Sequence, residues 1–83
     1  DPEWCRSQKL FESDKFLISD SGSNIVDMCI LSLCKYHIIA NSSFSWWGAW
    51  LANSNKVIAP KTWYGSVANL DDSDLVPSSW ERI

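Results

Sequence analysis

Eighty-three residues with 46% hydrophobic, 13% aromatic and 20% charged side chains make one small domain or a piece of a larger one, and six Trp exclude a disordered chain. At 9.4 kDa, surface scaling buries only about 63% of the extended-chain area on folding, near the lower edge for independent stability. Seven Lys and Arg against ten Asp and Glu give a net charge of −3 with no basic cluster, which excludes a phosphate-backbone grip on DNA or RNA.

In chain order, Asp1-Pro2-Glu3-Trp4 predicts a turn entering a helix that continues to about Phe11, with Pro in the first turn and acids at the positive helix end. Lys15-Phe16-Leu17-Ile18-Ser19 reads as a first strand, closed by the turn-forming Asp20-Ser21-Gly22-Ser23. From Ile25 to about Tyr36 apolar residues occupy nearly every helical face, which predicts a helix buried on more than one side. His37-Ile38-Ile39-Ala40 is a second strand, and Asn41-Ser42-Ser43 caps a helix whose stripe Phe44, Trp47, Gly48 and Leu51 faces a core. Gly48 would let that helix approach another backbone closely. Asn53-Ser54-Asn55 ends it, and Lys56 to Pro60 is a third strand stopped by proline. Trp63-Tyr64-Gly65 begins an irregular segment reaching a short helix around Asp71, and the tail Val76-Pro77-Ser78-Ser79-Trp80 reads as a docked terminus with one aromatic anchor. Strand, helix, strand, helix, strand predicts an α/β fold with a three-stranded parallel sheet. So small a parallel sheet wants a further neighbour, which points to a fragment.

The segment His37 to Leu51 carries the most chemistry. A strand feeding Asn41-Ser42-Ser43-Phe44 at a helix start presents unpaired N–H groups and two hydroxyls at the carboxyl end of the sheet, an arrangement suited to a pyrophosphate. An ordinary cap accounts for one of those polar residues; three in series, followed by Trp46-Trp47 and Trp50, exceed what a cap needs. Trp47 is expected in the core, whereas Trp46 and Trp50 could pack on an adjacent domain, line a ligand cleft where rings stack on sugar faces, or cover the sheet beside them. Asp27 stands three residues after Asn24, the spacing of a reciprocal cap, and its carboxylate could instead accept two N–H bonds from a guanine edge. His37 is the one His and has no acid or base partner at an obvious spacing, so a structural role is expected, and Lys56 and Lys61 are expected in solvent.

Cys5, Cys29 and Cys34 form an odd set without metal-site spacing, so reduced thiols in a cytoplasmic setting are expected, with Cys29 and Cys34 buried. No apolar run reaches the roughly 18 residues of a membrane span, and the first residues carry no charged-then-apolar leader.

The stretch Asn41-Ser42-Ser43-Phe44-Ser45-Trp46-Trp47-Gly48-Ala49-Trp50, with Asp27 and Cys34 before it and Lys56 to Pro60, Trp63, Pro77 and Trp80 after it, resembles the C-terminal part of the alpha-1,2-fucosyltransferases, glycosyltransferase family 11. The resemblance covers essentially the whole chain, 1–83, as a single nucleotide-sugar-binding fragment. It implies a partial Rossmann-like piece of the C-terminal lobe of a two-lobed GT-B-type enzyme, which transfers fucose from GDP-fucose to the 2-hydroxyl of a galactose-containing acceptor glycan. No cofactor or metal is implied. By the same resemblance Asp1-Pro2 ends an acidic loop after a strand, Asp27 is the carboxylate near guanine, and Ser42, Ser43 and Phe44, beside Asn41, form the pyrophosphate-holding helix start. The basic His-x-Arg-Arg-x-Asp motif of the family is absent from these residues, so the fragment without its N-terminal lobe is expected to be inactive, and the parent could be membrane-peripheral. A stand-alone Trp-rich carbohydrate-binding module and a structural interaction domain remain open alternatives.

Overall fold

The computed structural model describes residues 1–65 and 70–83 and shows an α/β arrangement with one three-stranded parallel sheet. Asp1 caps helix α1 (Pro2–Arg6) by accepting from the Glu3 and Trp4 amides at 3.0 and 3.3 Å. The helix then breaks and resumes as a 3-10 turn at Lys9–Phe11, where the sequence predicts one continuous helix. Helix α2 (Asn24–Leu33) leads into β1 (Tyr36–Ile38), α3 (Ser43–Ala52) and β2 (Lys56–Ala59), and the chain ends on β3 (Glu81–Arg82). Strand order is β1-β2-β3, with His37 opposite Val57 and Ala59 opposite Arg82.

The number and direction of the strands match expectation, but their membership does not. Residues 15–19 belong to no strand, so the predicted first strand lies outside the sheet, and the two-residue β3 replaces it. A strand is defined by a partner's hydrogen bonds, and β2 offers its free edge to the tail: the Ile83 amide donates to the Ala59 carbonyl at 3.0 Å. Around Asp71 the chain makes turns rather than a helix; part of that irregular segment, 66–69, lies outside the described residues. Asp72 organises the return to β3. Its carboxylate accepts from Arg82 at 3.2 and 2.6 Å and from the Trp63 amide at 3.1 Å, joining the start of the connection to the last strand. The paired guanidinium first, and the Trp63 amide second, hold the Asp72 carboxyl below its ordinary value.

One face of the sheet carries the core: Ile39, Val57 and Ala59 pack with Ala49, Trp63 and Val76. The opposite face is open, with Ile38 83% and Tyr36 60% exposed. Trp80 packs against the core, as its reading as an anchor requires. Leu31 of α2 meets Gly48 of α3, where a Cβ would lie 2.7 Å from Leu31 Cβ, so the predicted close approach is present. The other faces of α2 are uncovered, Ile25 at 78% and Leu33 at 85% exposure. The predicted burial on several sides is therefore absent, and Cys29 and Cys34 are exposed with it. The accessible surface, 6,642 Å², exceeds the roughly 5,000 Å² of a self-contained 9.4 kDa domain.

Candidate functional site

Helix α3 begins at the carboxyl end of the sheet. Because α3 connects the parallel strands β1 and β2, it runs back from the carboxyl end of β1 to the start of β2, and its N-terminus lies beyond the carboxyl end of β1, while α2 precedes β1 and packs against α3. Open α/β sheets collect ligands in that position.

The α3 terminus differs from its neighbours in how its amides are spent. In α2 the Ser23 hydroxyl accepts from the Val26 amide, and in α1 Asp1 does the same work for two amides. In α3 the Ncap residue is Ser42, at φ −132° and ψ 130°, and its side chain makes no capping bond. The Ser42 carbonyl starts the helical ladder by accepting from the Trp46 amide at 2.9 Å, which leaves the amides of Ser43, Phe44 and Ser45 without a helical acceptor. Ser45 turns its hydroxyl inward to the Ser42 and Ala40 carbonyls, at 3.0 and 3.2 Å. Ser42 is half-buried, and Ser43 and Phe44 are exposed. Asn41 serves the fold instead: its Nδ2 donates to the Trp63 carbonyl at 3.2 Å, fastening the turn before the helix. The free end of α3 carries about half a positive charge and directed donors, which together attract an oxyanion.

Asp27 sits in the first turn of α2, but Ser23 rather than Asn24 is the cap, so the reciprocal cap expected from the Asn24 spacing does not form. The Asp27 carboxylate instead accepts from the hydroxyls of Ser19 and Ser21 at 2.9 and 2.8 Å. It lines a cavity of about 450 Å³ together with Asp1, Pro2, Cys5, Phe11, Phe16, Leu17, Ile18 and Ser19. Phe11 and Phe16 meet edge to face there, with ring centroids 5.4 Å apart. The volume falls within the range of small-molecule pockets, and a mostly apolar wall with one half-buried carboxylate suits a flat heterocycle that carries N–H donors. Ser19, Ser21, Phe11 and Phe16 went unread as site residues in the sequence; the density of Ser and Asp around Gly22 was the available signal.

Trp47 lies outside the core expected of it, while Trp46 takes the packing role that was one of its readings. Trp46, rather than Trp47, packs against the core: its Nε1–H donates to the Leu75 carbonyl at 2.9 Å, and its ring stacks on Trp50 at 5.3 Å and leans on Trp80 at 5.8 Å. Trp47 is 50% exposed and Trp50 52%. Apolar residues surround α3, so periodicity does not select its inner face; small Ala49 and Gly48 do, by admitting neighbouring backbone. His37 is buried as a structural residue, its Nε2–H donating to the Leu31 carbonyl at 2.7 Å, while Nδ1 has no partner among the described residues. Lys56 and Lys61 are in solvent. Among the described residues no helix is long and apolar enough to cross a membrane.

Comparison with known proteins gives one family. Residues 1–83 match the family described as Glycosyl transferase family 11. The chain is 44% identical to an alpha-1,2-colitosyltransferase of Escherichia coli and 33% identical to the O-antigen biosynthesis glycosyltransferase WbnK of the same organism, each over the whole of this chain. It spans 30% and 28% of those two relatives. No solved structure gives a significant match.

Proposed function

We propose a function on one premise: the chain belongs to glycosyltransferase family 11. In this reading residues 1–83 are the donor-binding part of the C-terminal lobe of a glycosyltransferase that moves fucose from GDP-fucose to the 2-hydroxyl of a galactose-containing acceptor glycan. The amides of Ser43 and Phe44 and the hydroxyls of Ser42 and Ser43 hold β-phosphate oxygens, and Asp27 accepts the N1–H and N2–H edge of guanine. Asn41 fixes the turn that aims them.

The chemistry is an inverting displacement. The acceptor oxygen bonds to the anomeric carbon, the bond from that carbon to the β-phosphate oxygen breaks, and GDP leaves with the electron pair. Charge gathering on the phosphate oxygens meets preorganised N–H donors, the kind of stabilisation that dominates the rate enhancement of many enzymes. The acceptor proton passes to a base outside the residues named here. The transfer takes no metal in this proposal, and activity undiminished by a chelator is the expected outcome. The three free thiols, Cys5, Cys29 and Cys34, suit the cytoplasm.

One observation supports this most: α3, the helix that follows β1, has no side-chain cap on its first amides. A second reading changes only the sugar. The relative at 44% identity is named a colitosyltransferase, which favours a donor lacking the 3-hydroxyl of fucose, and parallel turnover of GDP-fucose and GDP-colitose separates the two.

The test is Ser43→Pro in the natural full-length protein. Proline is tolerated at the first helical position, and Ser42 already has the extended backbone required before it. The change deletes one amide donor and one hydroxyl while keeping the helix. GDP affinity, by calorimetry, should fall roughly 10- to 100-fold, the worth of a bond to a charged group. A folded variant with unchanged GDP affinity removes α3 from the donor site.

A further inference from the structure

We infer that Ser19 and Ser21 are positioning residues that lock the Asp27 carboxylate so that a single oxygen, Oδ2, faces the nucleobase; this rests on the donor-site reading above. Both hydroxyls donate to the same atom, Oδ1, at 2.9 and 2.8 Å. A carboxylate oxygen has two lone-pair sites, so Oδ1 is filled. Among the described residues Oδ2 accepts no hydrogen bond, and it is the atom left for N–H groups of a ligand in the cavity.

The surrounding chain is built to keep that choice. Ser21 also lies 3.0 Å from the Ser23 carbonyl, but its one proton favours the charged carboxylate, and its oxygen accepts the Ser23 amide at 3.1 Å. Gly22, at φ +72°, permits the tight return. Asp20, between the two serines, pairs with Arg6 at 3.0 Å, tying the loop to α1 and removing a competing partner for the serine hydroxyls. A carboxylate held at one oxygen by two donors cannot rotate, so little freedom remains to be lost when a base binds. The same restraint fixes the direction of acceptance, favouring a base with adjacent N–H donors over adenine, which offers a bare ring nitrogen there.

The test measures GDP and ADP dissociation constants by calorimetry on the natural full-length protein and on Ser19→Ala, Ser21→Ala, the double variant, the Thr counterparts, and each of these combined with Asp27→Ala. The double Ala variant should lose roughly tenfold in GDP affinity with ADP little changed, Thr should restore most of the loss, and the serine effect should vanish once Asp27 is Ala. An equal loss for GDP and ADP, or a loss that persists without Asp27, makes the serines merely structural and overturns the inference. If Asp27→Ala lowers the preference for GDP and the serine variants leave it intact, the positioning role fails while the base-reading role of Asp27 stands. If Asp27→Ala leaves that preference unchanged, both fall. Thr variants that bind like wild type keep the comparison valid if an Ala variant does not fold.

Discussion

Gly48→Ala is the sharpest probe of how α2 and α3 set the site. A Cβ at position 48 would stand 2.7 Å from Leu31 Cβ and 3.0 Å from Leu31 Cδ1. Carbon atoms pack best at about 3.5–4.0 Å, so the shortfall at Cβ is about 1 Å. Leu31 can swing Cδ1 away by changing rotamer, but its Cβ is fixed to the backbone, and the helices themselves must part. Overpacking of this kind costs about 1–3 kcal/mol, against which Ala in place of Gly in a helix interior returns about 1 kcal/mol. The net expectation is a loss of about 1 kcal/mol, read as a lower urea midpoint of the full-length protein. Gly48→Val, with two more carbons at the same place and a poorer helix former, should lose about 1–2 kcal/mol further. Because Asp27 of α2 and the start of α3 both belong to the proposed donor site, GDP affinity should fall along with stability. A Gly48→Ala protein that is as stable as wild type or more so, with Leu31 intact, would refute the close contact and the helix pairing drawn from it.

Two further outcomes concern the frame around the site. The lowered pKa of Asp72 means that the folded state binds its proton more weakly than the unfolded chain. The stability it contributes is therefore complete above its ordinary value of 3.8 and drains away as pH falls below that through the lowered pKa. Melting temperature against pH should show an acid-side decline that Asp72→Asn flattens, and an unaltered acid limb would show that the Arg82 pair does not hold β3. Trp46→Phe keeps a ring against Trp50 and Trp80 but strips the bond to the Leu75 carbonyl, at about 1–3 kcal/mol. Trp50→Phe, at a half-exposed position, should cost less in the same thermal melts, and the reverse order would contradict the assignment of Trp46 to the core.

Local chemistry makes parts of this molecule readable from the chain alone. The left-handed end of α3 at Asn53 (φ 48°), the stop of β2 before Pro60 and the close approach at Gly48 all follow from one residue's own side chain or backbone freedom. The α/β class followed from alternation of short apolar runs with helical ones. Asp27 was legible as a site candidate, but the serines that hold it were not, because their partner depends on how the Gly22 turn folds back.

What the tertiary structure alone decided is every question of which neighbour a segment meets. Glu81 and Arg82 form a strand only because Ile58 and Ala59 offer an edge, while Phe16 to Ile18, better strand formers by composition, lie unpaired. Trp46 is inside and Trp47 outside because Ala49 and Gly48 admit backbone on that side of a helix that is apolar all round. Asp72 and Arg82 find each other across a connection with no period to announce it. Caps and breakers act within a few residues and can be read in order along the chain; strand pairing, burial and ion pairs are long-range, and the sequence leaves them to be settled by whichever surfaces the fold brings together.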